Sequence, residues 1–340
     1  MDYPIENHTL TAWDPSDLPD QSGRTLVVTG ATAGIGYFAA EQLAAAGAHV
    51  VLAGRSPERL EIAATAIREQ VPAASLGTAV VDLSSLASVR DAGAELAALD
   101  RLDGLLLNGG SMAMRARDRT VDGLPLLAGT HVVANAALVA HTLPALLRTG
   151  ARHDVRTRVV HTSSGFVDRL RRPVVDALPT SRSGVVAYTR AKAVTEVFAF
   201  ELDRRLRSAG APTETLVSRP GVGVDARTPH RPGIRDASVP ARPNPYTPWA
   251  QGKDAAAWSA VRALTDPGAR GGELYAPANG RRGLPVRVQP GTLTASPAPQ
   301  DVASVWRRLE ELVGVDLPVA SGTPAPDHGA RAAVRQGRPA

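Results

Sequence analysis

Cysteine is absent from all 340 residues, which excludes a disulfide framework and any thiolate metal site. Lysine is nearly absent: Lys192 and Lys253 stand against 36 arginines. Aromatic residues make up only 4%, too few for the stacking platforms of a single-strand nucleic-acid binder. No apolar run approaches the ~20 residues of a membrane span. The opening "MDYPIENHTL" lacks the basic and apolar regions of a secretory signal. These absences set the expectation of a soluble, cytoplasmic protein with no metal and no nucleic-acid partner.

What is present is ordinary in amount. Hydrophobic residues are 44% and charged residues 21%, enough for one large α/β domain or two small ones. The net charge is +5, but the arginines are scattered among nearly balancing acids, which reads as a solvated basic surface. The preference for Arg over Lys, with abundant Ala, has the look of a coding bias. Against that background a lysine carries information, and one of the two closes the stretch "YTRAK", Tyr188 to Lys192.

From about residue 24 onward, apolar β-type runs alternate with amphipathic helical runs. "RTLVVTG", "HVVLAG", "GTAVVDL", "LDGLLLNGG", "RTRVVHTSSG", "TETLVSRPG" and "GELYAP" read as strands. Between them lie helices, including one with Ser56 as cap and Pro57 at its first position. The run Leu124 to Arg148 and the segment around "YTRAK" also read as helices. Strict β-α alternation predicts a Rossmann-type doubly wound parallel sheet, α/β in class, with right-handed crossovers. The expected organisation is an N-terminal arm over 1–22, a nucleotide-binding catalytic domain over 23–290, a C-terminal helix within 291–316 and a disordered tail over 317–340. Residues 222–248, rich in Pro and Arg without periodicity, are expected to form a substrate lid.

The first strand-helix junction holds "TGATAGIG", Thr29 to Gly36. Glycines 30, 34 and 36 let the backbone turn sharply and approach a ligand, while the helix start presents free N–H groups to a pyrophosphate. Thr32, Ala33 and Ile35 lie in the same turn. At the end of the second strand, where an NAD site carries an acid, stand Arg55 and Ser56. A guanidinium there suits a 2′-phosphate, so NADP(H) is the expected cofactor.

Together these residues resemble the short-chain dehydrogenase/reductase family, over about residues 13–290. "TGATAGIG" is similar to its glycine turn. "VDL" resembles its adenine-contacting segment, implying Asp82 and Leu83, and "NGG", Asn108, Gly109 and Gly110, resembles its motif after the fourth strand. "TSSG" is similar to its serine segment, "YTRAK" to its YxxxK, and "RPG", with Pro220 and Gly221, to its turn after the sixth strand. The lead-in "WDPSDLPDQSGRTLVVTG" and the late "GGELYAP" resemble the retinol-dehydrogenase-like branch of actinobacterial type. The resemblance implies hydride transfer between nicotinamide and a carbonyl or alcohol, with Ser164, Tyr188 and Lys192 at the reacting centre. Secondary metabolism is a compatible setting. Homo-oligomers occur in the family, but nothing in the sequence sets the oligomeric state.

The chemistry explains the residue types. A phenol is a poor acid at neutral pH. An ammonium about 5 Å away contributes about 3 kcal/mol at an effective dielectric near 20, which is expected to pull its pKa down. Residues i and i+4 share a helix face, so Tyr188 and Lys192 point into one cleft, and Lys192 also suits the nicotinamide-ribose hydroxyls. Ser164 is expected to hydrogen-bond the substrate oxygen, with Ser163 as the neighbouring alternative.

Three positions depart from the family pattern. His131 stands where an asparagine usually anchors a proton relay, and Asn135 is the only amide nearby. A histidine can donate and accept, yet a packed core histidine is an equal reading. Val224 and Asp225 occupy the neighbourhood of a threonine that normally touches the carboxamide, and Leu107 replaces the first asparagine of the fourth-strand motif. These departures leave a second reading open, an NADPH-binding sensor or partner module with weak turnover.

Overall fold

The computed structural model describes residues 13–112, 117–241 and 243–317. The chain begins β1 (Thr25–Thr29), α1 (Gly34–Ala45), β2 (His49–Gly54), α2 (Pro57–Gln70), β3 (Ser75–Val80), α3 (Leu86–Ala97) and β4 (Gly104–Leu107). A short α4 (Leu126–Ala128) continues through a π-helical turn, Gly129–Val133, into α5 (Ala134–His153). There follow β5 (Thr157–Thr162), α6 (Gly184–Ser208), β6 (Thr213–Ser218), α7 (Lys253–Thr265), β7 (Leu274–Pro277) and β8 (Pro285–Val288). Two helices, α8 (Thr292–Ala295) and α9 (Pro299–Val313), close the order.

The strands form one sheet in the order β3-β2-β1-β4-β5-β6-β7-β8. All neighbours are parallel except β7 and β8. Period-two alternation sends Leu26 and Val28 of β1 toward α1, α2 and α7, and Val27 toward α3, α5 and α6. Both faces are covered, which is why the strands read as continuous apolar runs. The chain leaves β1 in one direction for β2 and β3, then returns to β4 on the other side. That reversal opens a crevice at the carboxyl ends of β1 and β4. It brings the glycine turn and Asn108–Gly110 together.

Helix starts follow local chemistry. Ser56 accepts from the Arg59 N–H and Ser85 from the Ser88 N–H, each satisfying an orphan donor of the first turn. The helical stretch Leu126–His153 is long and apolar enough to cross a membrane, which the expectation of no such run missed. Of its most apolar window, 89% is buried inside the fold; the apolarity is that of a central helix packed on α3 and β5.

Two expectations about the sheet need correction. The sheet is not wholly parallel: β8 pairs antiparallel with β7 after a Gly/Arg turn, and its four residues are too few to display alternation in sequence. β3 starts at Ser75 and ends at Val80, so Val81, Asp82 and Leu83 leave the sheet toward the crevice. Of the arm expected over 1–22, residues 1–12 lie outside the described residues, and Trp13 and Gln21 are buried. The tail over 317–340 lies outside them from residue 318, while Leu317 is 2% exposed and joins the main core. Segment 222–248 carries 3₁₀ turns at Asp225–Arg227 and Thr247–Trp249, and its middle is fastened to α1 by a two-pronged Arg231–Glu41 pair.

α9 docks through Val305, Trp306 and Leu309. Trp306 stacks on Phe198 of α6 at 5.5 Å, and the Arg205 guanidinium covers the ring 3.8 Å from its centroid. Trp306→Ala is therefore expected to cost about 3–5 kcal/mol of unfolding free energy, read from urea denaturation. An unchanged midpoint would show that α9 is not part of the cooperative core.

Candidate active site

The crevice floor is built from glycines that cannot be replaced without collision. A Cβ at Gly36 would overlap the Gly30 carbonyl and the Asn108 side chain, and one at Gly30 would sit 3.0 Å from Gly109 Cα. Gly30 and Gly34 have φ of +67° and +60°, the left-handed region glycine enters without strain. Thr29 Oγ1 accepts from the Gly109 N–H at 2.9 Å and donates to the Leu106 carbonyl at 3.2 Å, while Asn108 Nδ2 donates to the Thr29 carbonyl at 3.3 Å. The turn and the β4 end are thereby locked to each other.

α1 lacks the serine cap that starts three of the other helices. α2, α3 and α6 begin with capping serines, whereas α1 begins at Ala33 with no side-chain cap. Its first N–H groups and the dipole of the helix are left for an anion. This cradle fits the diphosphate of a dinucleotide. Thr32 lies against Gly54 at the end of β2, and Ile35 packs into the core. Arg55 follows Gly54, is exposed, and makes no ion pair among the described residues. Asp82 Oδ1 accepts from the Ser84 N–H and hydroxyl at 2.9 and 2.8 Å, so that carboxylate is turned toward its own loop. Leu83 lies against Gly109.

At the β5 end the chain runs Thr162, Ser163, Ser164 and then a 3₁₀ turn, Gly165–Arg169. The two serines face different ways. Ser163 Oγ donates to Glu196 at 2.6 Å, while Ser164 Oγ accepts from the Phe166 N–H at 3.3 Å and lies close enough to the Tyr188 phenol to lower its pKa. Ser163 is thus engaged by the buried carboxylate, and Ser164 is the serine beside the phenol. Tyr188 and Lys192 lie one turn apart on α6, with Nζ 5.9 Å from the phenol ring centroid. Lys192 is buried and donates to the Thr162 carbonyl at 2.5 Å. Leu127, Ala187 and Phe166 form an apolar wall around Tyr188.

The electrostatics revise one expectation. Burial raises the Tyr188 pKa above its ordinary value, opposed only by the Ser164 hydrogen bond. The same burial depresses Lys192 to about 7 despite the attraction of Glu196. An ammonium that is itself half discharged at neutral pH cannot pull the phenol down as a full charge would.

His131 lies on the π-helical turn with its ring edge-on to Tyr188, centroids 5.4 Å apart. Its Nε2 meets the Ser111 carbonyl at 2.9 Å, and its Nδ1 is buried without a protein partner among the described residues. Burial, then the Lys192 charge, holds its pKa well below the ordinary histidine range. The ring is neutral, with Nε2 as donor to the carbonyl. The His131 carbonyl accepts from Asn135 Nδ2 at 3.0 Å and Thr195 Oγ1 at 3.2 Å, so Asn135 serves the backbone rather than the phenol.

Sequence reasoning missed a buried charge cluster beneath this site. Arg219, just before Pro220 and Gly221, donates to Glu196 from Nε at 2.8 Å and Nη2 at 3.0 Å, and to Asp168 at 2.7 Å. Thr294 Oγ1 donates to Glu196 at 2.8 Å. The available signal was a glutamate four residues after Lys192, within the apolar stretch "AVTEVFAF". Gly221 has φ +69°, and any Cβ there would overlap the Arg281 carbonyl. Pro220 accepts from Gln251 Nε2 at 2.9 Å. Arg227 and Arg235 bond carbonyls within segment 222–248 through Nε, and Arg231 bonds Glu41.

Comparison with known proteins agrees with this geometry. Residues 24–201 match the family model described as short chain dehydrogenase. The chain is similar to mouse polyprenol dehydrogenase, 33% identical over 61% of this chain and 62% of that one. It is also similar to human dehydrogenase/reductase SDR family member 13, 38% identical over 55% of this chain and 49% of that one. The chain thus matches about half to under two thirds of the length of these curated relatives. A crystal structure of an uncharacterised protein from Mycobacterium paratuberculosis superposes with a TM-score of 0.71 at 27% identity, covering 90% of this chain and 99% of that one.

The His131 ring occupies the space a side chain at position 110 would need: a Cβ on Gly110 would overlap it. Gly110→Ala is expected to destabilise the protein by about 1–3 kcal/mol, and a second change, His131→Ala, should relieve most of that cost. Strictly additive effects in the double-mutant cycle would contradict the assigned contact.

Proposed function

Because the chain belongs to the short-chain dehydrogenase/reductase family, we propose that it is an NADP(H)-dependent oxidoreductase acting on the carbonyl or alcohol of a small, largely apolar substrate. The observation that carries this reading is the convergence of Ser164, Tyr188 and Lys192 at the mouth of the crevice. The catalytic unit is residues 23–290, with Gly30 to Gly36, Asn108 to Gly110, Pro220 and Gly221 around the cofactor. Arg55, which makes no ion pair among the described residues and stands beside Ser56, supports the phosphorylated dinucleotide. The apolar wall around Tyr188 supports an apolar substrate, as does the name of the mouse relative, which denotes a dehydrogenase of an isoprenoid alcohol.

A bound nicotinamide supplies or accepts the hydride. The protein's residues handle the oxygen and its proton. Ser164 holds the substrate oxygen beside Tyr188, whose hydroxyl donates its proton in reduction and whose phenolate accepts one in oxidation. Lys192, poised near neutrality, supplies positive charge where the phenolate forms. Its charge falls as pH rises through about 7. Phe166, Leu127 and Ala187 restrict water around the reacting oxygen.

The reading of a sensor with weak turnover is favoured by one observation: the His131 carbonyl, where a relay would continue, is occupied by Asn135 and Thr195. NADPH consumption across a panel of ketones and aldehydes separates the two. We expect turnover with at least one apolar carbonyl, and a Tyr188→Phe loss in kcat/KM of about 10²–10⁴ with NADPH affinity retained. Tight NADPH binding without any turnover would favour the sensor. Arg55→Ala should weaken NADPH by about 10–100-fold and leave NADH affinity unchanged; equal losses for both would remove the case for NADP.

A further inference from the structure

The second lysine lies beside the glycine turn. Lys253, the first residue of α7, runs its stem past Gly34, where a Cβ would stand 3.5 Å from its Cδ and 3.9 Å from Nζ. Gly34 opens α1, a helix whose first turn has no side-chain cap. Lys253 Nζ pairs with Asp225 at 2.5 Å. Its backbone N–H donates to Thr228 Oγ1 at 2.9 Å, and Gly223 packs on its stem. It is partly open to solvent, at 30% side-chain exposure. One cation thus touches both walls of the groove: the α1 start on one side and, through Asp225 and Gly223, the segment that follows the Pro220–Gly221 turn on the other.

We propose that Lys253 is a ligand of the cofactor diphosphate, with Asp225 as the competing counter-ion that holds the ammonium in reserve. The inference rests on the dinucleotide reading above. The reasons are chemical. An uncapped helix start presents N–H donors to one side of a diphosphate, but leaves its outer oxygens to solvent or to a cation. Lysine brings a compact charge on a slim, flexible stem, and that stem lies in van der Waals range of Gly34. The neighbouring Asp225 repels a diphosphate and partly neutralises the lysine, so the two residues act in opposite directions on binding.

The opposite signs make the test. NADPH binding to the full-length protein is measured by the change in its fluorescence, and 2′-AMP, which lacks the diphosphate, is measured as a competitor. The expected results are a rise in NADPH Kd of about 10–100-fold for Lys253→Met, an unchanged Ki for 2′-AMP, and a Kd for Asp225→Asn that is equal to or lower than that of the parent. An unchanged Kd in Lys253→Met overturns the inference. Parallel losses for NADPH and 2′-AMP in both variants also overturn it, because they mark an ion pair that merely holds the segment in place. A parent protein that binds neither NADPH nor NADH would instead remove the dinucleotide reading itself, and this inference with it.

Discussion

A single carboxylate without solvent exposure, Glu196, holds the carboxyl end of the sheet together. It accepts two bonds from Arg219 of the β6 end, one from Ser163 of the β5 end and one from Thr294 of α8. It also lies one turn beyond Lys192 on α6. Four segments that are distant in sequence therefore share one anchor, and Asp168 joins them through Arg219. Removing one partner of such a buried pair costs about 3–5 kcal/mol, although replacing the whole pair with apolar residues is often neutral. The cluster's contribution is thus better sought in geometry than in net stability: it fixes Ser163, and with it the neighbouring Ser164, relative to the α6 face that carries Tyr188.

The same anchor sets the electrostatics above it. Lys192 is buried, and burial depresses its pKa; the Glu196 charge limits the fall to about 7. His131 feels the remaining charge of Lys192 and stays neutral, its ring wedged over Gly110. The site is therefore a neutral histidine, a desolvated phenol and a half-charged lysine, stacked within one apolar wall. The glycine turn on the opposite side of the crevice has the complementary character, rigid backbone with free N–H donors and a cation beside it.

Much of this was legible in the sequence, for identifiable reasons. Strands buried on both faces write continuous apolar runs, and serine caps write their own helix starts, so seven strands and the main helices could be read directly. Tyr188 and Lys192 were legible because helical spacing places i and i+4 on one face. Ser164 was preferred to Ser163 through the resemblance alone, because which of two adjacent serines lies beside the phenol depends on how the chain leaves β5. The direction of the Tyr188 shift was wrong because charge was counted without the burial of the charge itself. Glu196 and Arg219 were invisible as a pair: they are 23 positions apart and meet only when α6 lies across β6. β8 escaped because four residues after a turn carry no period, and Lys253 because its neighbour Gly34 lies more than two hundred residues away.

The central claim is that the buried Glu196 anchor leaves Lys192 poised near neutrality beneath the phenol. With two lysines in the chain, protein labelled with ¹³C at lysine Cε gives two signals, which a Lys253 variant assigns. The account predicts that Lys192 titrates near 7 in the parent and lower in Glu196→Gln. It also predicts that folding stability rises with pH from about 7 toward the unfolded value of 10.5, because over that window only the unfolded chain keeps the proton. A Lys192 signal that titrates near 10.5, or one indifferent to Glu196→Gln, would contradict it.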